Sequence, residues 1–211
     1  MKIAFIGSGN VGAALADQLQ RKGHDVTIGE SRPGAESAKK AVARNAGLKI
    51  GPLKDAVASA EVVFLAVPYA VNAEILPTLG EELRGKVLVD CTNPVGAGLS
   101  HGLKSVGSGA EEVQKYVPQA KVVKAFSIYG FENFENSAYP NYSVKPAMLY
   151  CGNDGEGKGI AAKLIGDLGW EAVDVGGLEQ ALHLEHMTLL WIRMVRAKGG
   201  SPNLVWAALR R

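Results

Sequence analysis

Short apolar blocks recur along the chain, and their spacing predicts alternating strands and helices. Lys2 to Ile6 is almost wholly apolar and stops at Gly7-Ser8-Gly9-Asn10-Val11-Gly12. Helix formers resume at Ala13, and Ala14, Leu15 and Leu19 fall at helical spacing up to Lys22, ahead of a terminating Gly23. Asp25 to Gly29 alternates through Val26 and Ile28, as a second strand would. Ala35 to Ala46 predicts a helix ending at Gly47, Leu48 to Ile50 a short strand, and Lys54 to Ser59 a short helix. Glu61 to Pro68, Lys86 to Asp90 and Val122 to Phe126 are near-continuous apolar runs, the pattern of parallel strands buried on both faces. A helix is expected from about Ala70. Ala147 to Gly152 and Glu171 to Val175 read as further strands around a helix over Gly157 to Leu168. Leu178 to Ala197 predicts a long helix with one apolar face, and Pro202 is expected to open a short last helix carrying Trp206.

Strand, loop, helix and strand at this spacing imply right-handed crossovers, and so an α/β, Rossmann-type, doubly wound parallel sheet with a short C-terminal helical appendage. Residues 1–178 would form the dinucleotide-binding domain. Residues 179–211 would form the appendage, available to an acceptor site or a dimer contact.

The glycines carry the first chemistry. Between a buried strand and a helix start, Gly7 permits a tight turn, Gly9 lets backbone approach a pyrophosphate, and Gly12 lets the helix pack closely on the strand. The backbone of Ser8, Asn10 and Val11 completes the loop, and the positive helix N-terminus favours the anion. Glu30 ends the second strand about 20 residues later, where an acid binds the adenosine ribose of NAD(H). Ser31 and Arg32 follow it directly. A hydroxyl and a guanidinium there suit the 2′-phosphate of NADP(H), so the two signals oppose each other. Arg32 as a solvated charge, with Glu30 capping a turn, is the plainer alternative. Lys39, Lys40 and Arg44 read as a solvated helix face.

Ligands of doubly wound sheets bind beyond the strands' carboxyl ends. The loops Pro68-Tyr69, Thr92-Asn93-Pro94 and Ser127-Ile128-Tyr129 all begin there and, with Val67 and Ala125 at the strand ends, are expected to line the nicotinamide half. Asn93 offers a donor and an acceptor together, for a ribose or a carboxamide, although Asn-Pro is also an ordinary turn pair. Phe126 to Tyr150 is rich in aromatics, which suits either a stacking platform for a planar ring or burial against the sheet edge or a second subunit.

Composition adds limits. Over 211 residues the chain is 47% hydrophobic and 21% charged, ordinary globular values, and a net charge of +2 gives no argument for nucleic acid. Cys91 and Cys151, without a signal-peptide pattern, imply a reducing cytoplasm and no disulfide framework. No stretch approaches the length of a membrane span. His183 and His186 lie one turn apart, but only His24 and His101 remain elsewhere, so no metal site is expected. Leu184, Met187, Leu190, Trp191 and Met194 give the late helix an apolar face wide enough to predict a homodimer.

With these pieces placed, nearly the whole chain resembles the coenzyme F420-dependent NADP oxidoreductase family, including the cytosolic oxidoreductase domain of membrane metalloreductases. The resemblance rests on Gly7 to Gly12, Ser31-Arg32, Asp90 with Asn93-Pro94, Lys124-Ala125-Phe126, Cys151-Gly152-Asn153-Asp154, Gly176 with Leu178, and Leu184-Glu185 through Leu190-Trp191-Ile192. It implies NADP(H) on the glycine loop, the 2′-phosphate on Ser31-Arg32, and hydride transfer to F420, FMN or FAD. Three positions depart from the family. Ser127 replaces a histidine of the archaeal deazaflavin enzymes, Leu182 a frequent arginine, and Glu30 a usually neutral residue. No single catalytic residue follows, since hydride transfer between stacked rings needs alignment more than an acid or base. A nucleotide-binding redox sensor without turnover, or a small-substrate dehydrogenase or imine reductase, are the alternatives.

Overall fold

The computed structural model describes residues 1–211. Its strands are β1 (Lys2–Ile6), β2 (Asp25–Glu30), β3 (Lys49–Pro52), β4 (Val62–Leu65), β5 (Val87–Asp90), β6 (Lys121–Lys124), β7 (Ala147–Gly152) and β8 (Glu171–Asp174). They form one sheet in the order β3-β2-β1-β4-β5-β6-β7-β8. β4 and β5 are buried at every position, which is why their sequences read as continuous apolar runs. The outer strands read weakly, β3 being mostly open to solvent and β8 half-buried.

The helices are α1 (Asn10–Arg21), α2 (Glu36–Arg44), α3 (Leu53–Ser59), α4 (Asn72–Ile75), α5 (Gly109–Tyr116), α6 (Phe131–Glu135), α7 (Gly155–Asp167) and α8 (Ala181–Ile192). Local chemistry sets several of their ends. Ser108 and Glu111 form a reciprocal capping box at the start of α5, and Asp154 accepts from the Gly157 N–H at the start of α7. Gly23, at φ 87°, supplies the left-handed residue after α1.

Four expectations need correction. The sheet is not wholly parallel, because β7 runs antiparallel to β6, with Lys124 opposite Cys151. The helix expected from Ala70 is only α4, flanked by 3₁₀ turns at Tyr69–Val71 and Leu76–Leu79, since Pro77 cannot donate to an α-helical ladder. The long helix over Leu178 to Ala197 opens with a 3₁₀ turn at Leu178–Gln180 and closes with a π-turn at Arg193–Ala197. No helix follows Pro202. Residues 202–206 run as a strap whose first three carbonyls are taken by side chains: Asn133 Nδ2 donates to Pro202 O, Tyr139 to Asn203 O, and Trp191 Nε1 to Leu204 O, while Trp206 O accepts from the Ala147 N–H. With external donors in place, the backbone has no need of a helical ladder.

The core is continuous from β1 to the C-terminal helix, taking in Ile3, Phe64, Phe126, Leu184, Trp191 and Val195. An aromatic series crosses it: Phe5 stacks on Phe64 at 4.8 Å, Phe64 lies 5.8 Å from Phe126, and Phe126 meets Phe134 at 6.0 Å. Tyr129 stacks on Trp170 at 5.2 Å. Most aromatics of the 126–150 segment therefore fill the sheet edge, and Tyr142 alone among them is fully exposed. The apolar positions of α8 and of the π-turn that follows it also divide. Leu184 and Trp191 face this core, whereas Leu190 and Met194 point to solvent.

Candidate functional site

β1 delivers the chain to its carboxyl edge at Gly7, whose φ of 103° only glycine adopts readily. A Cβ there would fall 2.6 Å from Ala66 O, and one on Gly12 would fall 2.2 Å from Gly7 O, so the loop and α1 are packed at glycine distance. Gly9 differs, since a Cβ on it would meet nothing within 4 Å. No side chain caps α1 and its first turn holds no acid, so the helix N-terminus faces open space with its positive end free. Val67 packs its Cγ1 against Gly7. The Ser8 and Ser37 hydroxyls lie 2.8 Å apart and tie the loop to α2, while Asn10 is exposed and Val11 half-buried.

The opposing signals at the end of β2 separate in space. Glu30 Oε2 accepts from the Gly34 N–H at 3.1 Å and Oε1 from the Ala35 N–H at 2.9 Å. The carboxylate is thus committed to folding the loop back toward α2. Ser31 and Arg32 stand exposed on that loop, and no carboxylate pairs with the guanidinium. These residues fit an adenosine 2′-phosphate.

The other half lies across β4, β5 and β6. Pro68 is exposed, and Tyr69 lies half-buried over the start of α5. A Cβ on Gly109 would fall 2.7 Å from the Tyr69 ring, 3.1 Å from Pro94 and 3.2 Å from Glu185, so three separate segments converge there. Burial, aided by Tyr116, Glu112, Glu185 and Asp90, pushes the Tyr69 hydroxyl up to about 12. Asn93 is drawn inward: its Nδ2 donates to Ser127 O at 3.0 Å and its Oδ1 accepts from Thr188 Oγ1 at 3.0 Å. Its side chain therefore pins α8 to the ends of β5 and β6. Ala125 is wholly buried and bonds Asp90 O. Phe126 holds a φ of 52°, a costly conformation for an aromatic residue, and it turns the chain into Ser127. The hydroxyl of buried Ser127 has no partner, nor does Asn72 Oδ1, whose amide nitrogen donates to Thr92 Oγ1. Unpaired polar atoms in buried positions are uncommon and suit a polar ligand.

Beneath these loops sits a buried ionic cluster. Lys124 Nζ lies 3.0 Å from Asp90 Oδ2 and 3.2 Å from Glu185 Oε1, and it donates to Thr92 O. Glu185 also accepts from His101 Nε2 at 2.8 Å and from the Gly109 and Ala110 N–H groups at the start of α5. Because His101 Nδ1 accepts from the Ser105 N–H, the imidazole proton sits on Nε2. Burial opposes the charge on Lys124, but the two carboxylates outweigh it and raise its pKa above the ordinary lysine value. Removing one partner from such a cluster typically costs about 3–5 kcal/mol. Sequence reasoning gave Asn72, His101 and Thr188 no part here, and gave Asp90, Lys124 and Glu185 no role. The available signal was charge in apolar surroundings, as at Lys124 inside Val122 to Phe126. His183 is exposed, and His186 stacks on His101 at 5.3 Å, with its Nε2 3.0 Å from Ser105 Oγ. No helix is long and apolar enough to cross a membrane.

Comparison with known proteins agrees with this geometry. Residues 2–94 match the family described as NADP oxidoreductase, coenzyme F420-dependent. The F420-dependent NADP reductase of Methanocaldococcus jannaschii is 32% identical over 207 residues, covering 91% of each chain. The metalloreductase STEAP3 of Rattus norvegicus is 29% identical over 89% of this chain, which spans only 36% of that protein. A crystal structure from Arthrobacter sp. FB24, provisionally assigned as an F420-dependent NADP-reductase, superposes with a TM-score of 0.82 at 29% identity, covering 95% of this chain and 96% of that one. With 32% identity to a relative over 91% of each chain and the same fold, the chain belongs to the coenzyme F420-dependent NADP oxidoreductase family, a family of NADP-dependent oxidoreductases.

Proposed function

We propose that the protein transfers a hydride between NADP(H), laid along the carboxyl edge of the sheet, and a planar flavin or deazaflavin acceptor of the F420 kind. The observation that carries the nucleotide choice is the commitment of Glu30 to the Gly34 and Ala35 amides, which leaves Ser31 and Arg32 free for a 2′-phosphate. The glycine loop and the N-terminus of α1 would hold the pyrophosphate. Val67, Pro68, Tyr69, Asn93, Pro94, Ala125 and Ser127 would frame the nicotinamide end, with the Ser127 hydroxyl open to a hydrogen bond. The bound nicotinamide supplies the hydride chemistry, and this chain's residues supply alignment. Family membership supports an F420-like acceptor. Replacement of the archaeal histidine by Ser127 supports a site whose acceptor contacts differ from those of the archaeal enzymes.

Titrating both nucleotides into the wild type and Arg32→Ala tests the reading. A charge-assisted hydrogen bond is worth about 1.5–3 kcal/mol, so the variant should lose roughly ten- to a hundredfold in NADPH affinity with NADH unchanged. Glu30→Gln removes a nearby negative charge but keeps one acceptor for the loop, so its gain in NADPH affinity should be modest, under about threefold. Tighter NADH than NADPH binding by the wild type overturns the nucleotide assignment. NADPH oxidation is then measured with F420, FMN, FAD and ferric chelates. NADPH binding with no turnover on any of them favours the redox sensor, and turnover on imines or hydroxyacids favours the small-substrate dehydrogenase. The exposed Leu190 and Met194 support a homodimer through α8. Light scattering that returns a single-chain mass at micromolar concentration refutes the dimer. Two unpaired buried thiols, Cys91 and Cys151, support a reducing cytoplasm as the setting.

A further inference from the structure

The buried cluster has a geometric consequence one peptide bond away. Lys124 Nζ donates to the carbonyl of Thr92, and Asp90 Oδ1 accepts both the Thr92 N–H at 2.9 Å and the Thr92 hydroxyl at 2.7 Å. Asn72 Nδ2 donates to that same hydroxyl, so every polar atom of Thr92 is held by a buried side chain. No peptide bond in the chain is cis. In a planar trans peptide the N–H points opposite to the C=O, so drawing the Thr92 carbonyl down onto the ammonium turns the Asn93 N–H away from the cluster. That N–H makes no hydrogen bond within the chain, and Pro94 has none to offer. Asn93 cannot rotate to hide it, because its side chain is bonded at both ends, to Ser127 O and Thr188.

We propose that Lys124 is a positioning residue: through the Thr92 carbonyl it aims the Asn93 N–H at the ribosyl-nicotinamide end of the bound dinucleotide, as a fixed hydrogen-bond donor. The inference rests on the nucleotide reading above. It accounts for a fully buried lysine at a strand end where an apolar residue would pack without the cost of desolvating a charge. It also accounts for the joining of β5, β6 and α8 on one ammonium, with α5 attached through Glu185. Asp90 and Lys124 fix the peptide, while Glu185 couples its orientation to α8 and, through His101, to the 95–105 loop.

The test separates the two ends of the nucleotide. Equilibrium affinities for NADPH and for 2′,5′-ADP, which reaches only the glycine loop and Arg32, are measured with the wild type and Lys124→Met. Because that variant leaves Asp90 unbalanced, Lys124→Met combined with Asp90→Asn is measured beside it. The double variant removes one cation and one anion together, so the cluster's net charge is unchanged: the asparagine oxygen still accepts from Thr92, and Glu185, without its ammonium, keeps the hydrogen bonds from His101 and two backbone N–H groups. The expected result is about a tenfold loss of NADPH affinity in the double variant, with 2′,5′-ADP binding within about twofold of the wild type. A purely structural role would move both ligands together or neither, and either outcome in a folded variant overturns the proposal. Failure of the wild type to bind 2′,5′-ADP or NADPH overturns the nucleotide reading, and this inference with it.

Discussion

The two halves of the proposed site are built in opposite ways. The adenosine half is made of backbone and space: glycines packed at contact distance, an uncapped helix and an exposed loop, with its one carboxylate turned inward to hold that loop. The nicotinamide half is made of side chains, with a lysine, two carboxylates, a histidine, two threonines and two asparagines all bonded to one another or to strand ends. A site that grips phosphate needs many N–H groups and little else, whereas a site that aligns two rings needs rigid walls, which a satisfied buried network supplies. The first half should therefore fail by steric blockage and the second by loss of orientation.

The sharpest break comes from Gly12→Ala. Its Cβ would fall 2.2 Å from the Gly7 carbonyl oxygen, and neither β1 nor α1 has room to yield, so chemical denaturation should register a loss of about 3 kcal/mol or more. Gly9→Ala, three residues away, should do the reverse. Its methyl meets no protein atom and costs under about 1 kcal/mol of stability, but it occupies the space proposed for the pyrophosphate. NADPH affinity should fall roughly thirtyfold, about 2 kcal/mol, as read by fluorescence titration. If both variants lose stability equally, the distinction between packed and ligand-facing glycines is wrong.

Thr188→Val tests the other half. The Thr188 hydroxyl lies within 3.0 Å of Asn93 Oδ1, Ser127 O and Leu184 O, so an isosteric methyl removes the donor that α8 offers to both strand ends. Stability should fall by about 1–2 kcal/mol and 2′,5′-ADP binding should be unchanged, with differential scanning fluorimetry and calorimetry as the measurements. The smallest effect belongs to His24, remote from both halves, at the amino edge of the sheet. Burial lowers its pKa below 6.5, the N-terminal ammonium 3.4 Å away and Lys163 add to that, and Asp167 at 3.2 Å only partly offsets it. The unfolded chain then binds more protons than the folded one below pH 6.5, so stability should drop gently as pH falls from there and level off once folded His24 also protonates. His24→Gln should flatten that slope, and the Arg32→Ala preference measured at pH 6 and 8 should be the same in both backgrounds.

The same division explains what the sequence disclosed. The adenosine half lies in contiguous segments, Gly7 to Gly12 and Glu30 to Arg32, whose chemistry is backbone geometry and so is written in glycine positions. The buried strands were equally plain, because β4 and β5 have no solvent face to interrupt their apolar runs. The reversal of β7 was hidden, since this strand lies between β6 and β8 and is buried at all but one position, and so shows the same apolar run as a buried parallel strand. The roles of Lys124, Glu185 and His101 were hidden because each is an ordinary charged or polar letter until the fold brings it to the others. Periodicity also combined Leu184 and Trp191 with Leu190 and Met194 into one face, although the 3.6-residue turn sends the first two inward and the others outward. In the 202–206 strap, hydrogen bonds from distant side chains overrode local helical preference.

The antiparallel pairing of β7 with β6 also sets when the proposed nicotinamide half can exist. By reversing direction, β7 lets the chain come back so that α8 ascends toward the carboxyl edge, carrying Glu185 to Lys124 and Thr188 to Ser127. His101 and Glu185 are separated by 84 residues, and Glu185 lies near the end of the chain. A polypeptide leaving the ribosome from its N-terminus can assemble β1, α1 and β2 early, from neighbours in sequence, but Lys124 has no second carboxylate until α8 emerges. During synthesis, then, the proposed phosphate cradle comes first and the proposed ring-aligning wall last, so a chain stalled before α8 would carry half of the proposed site.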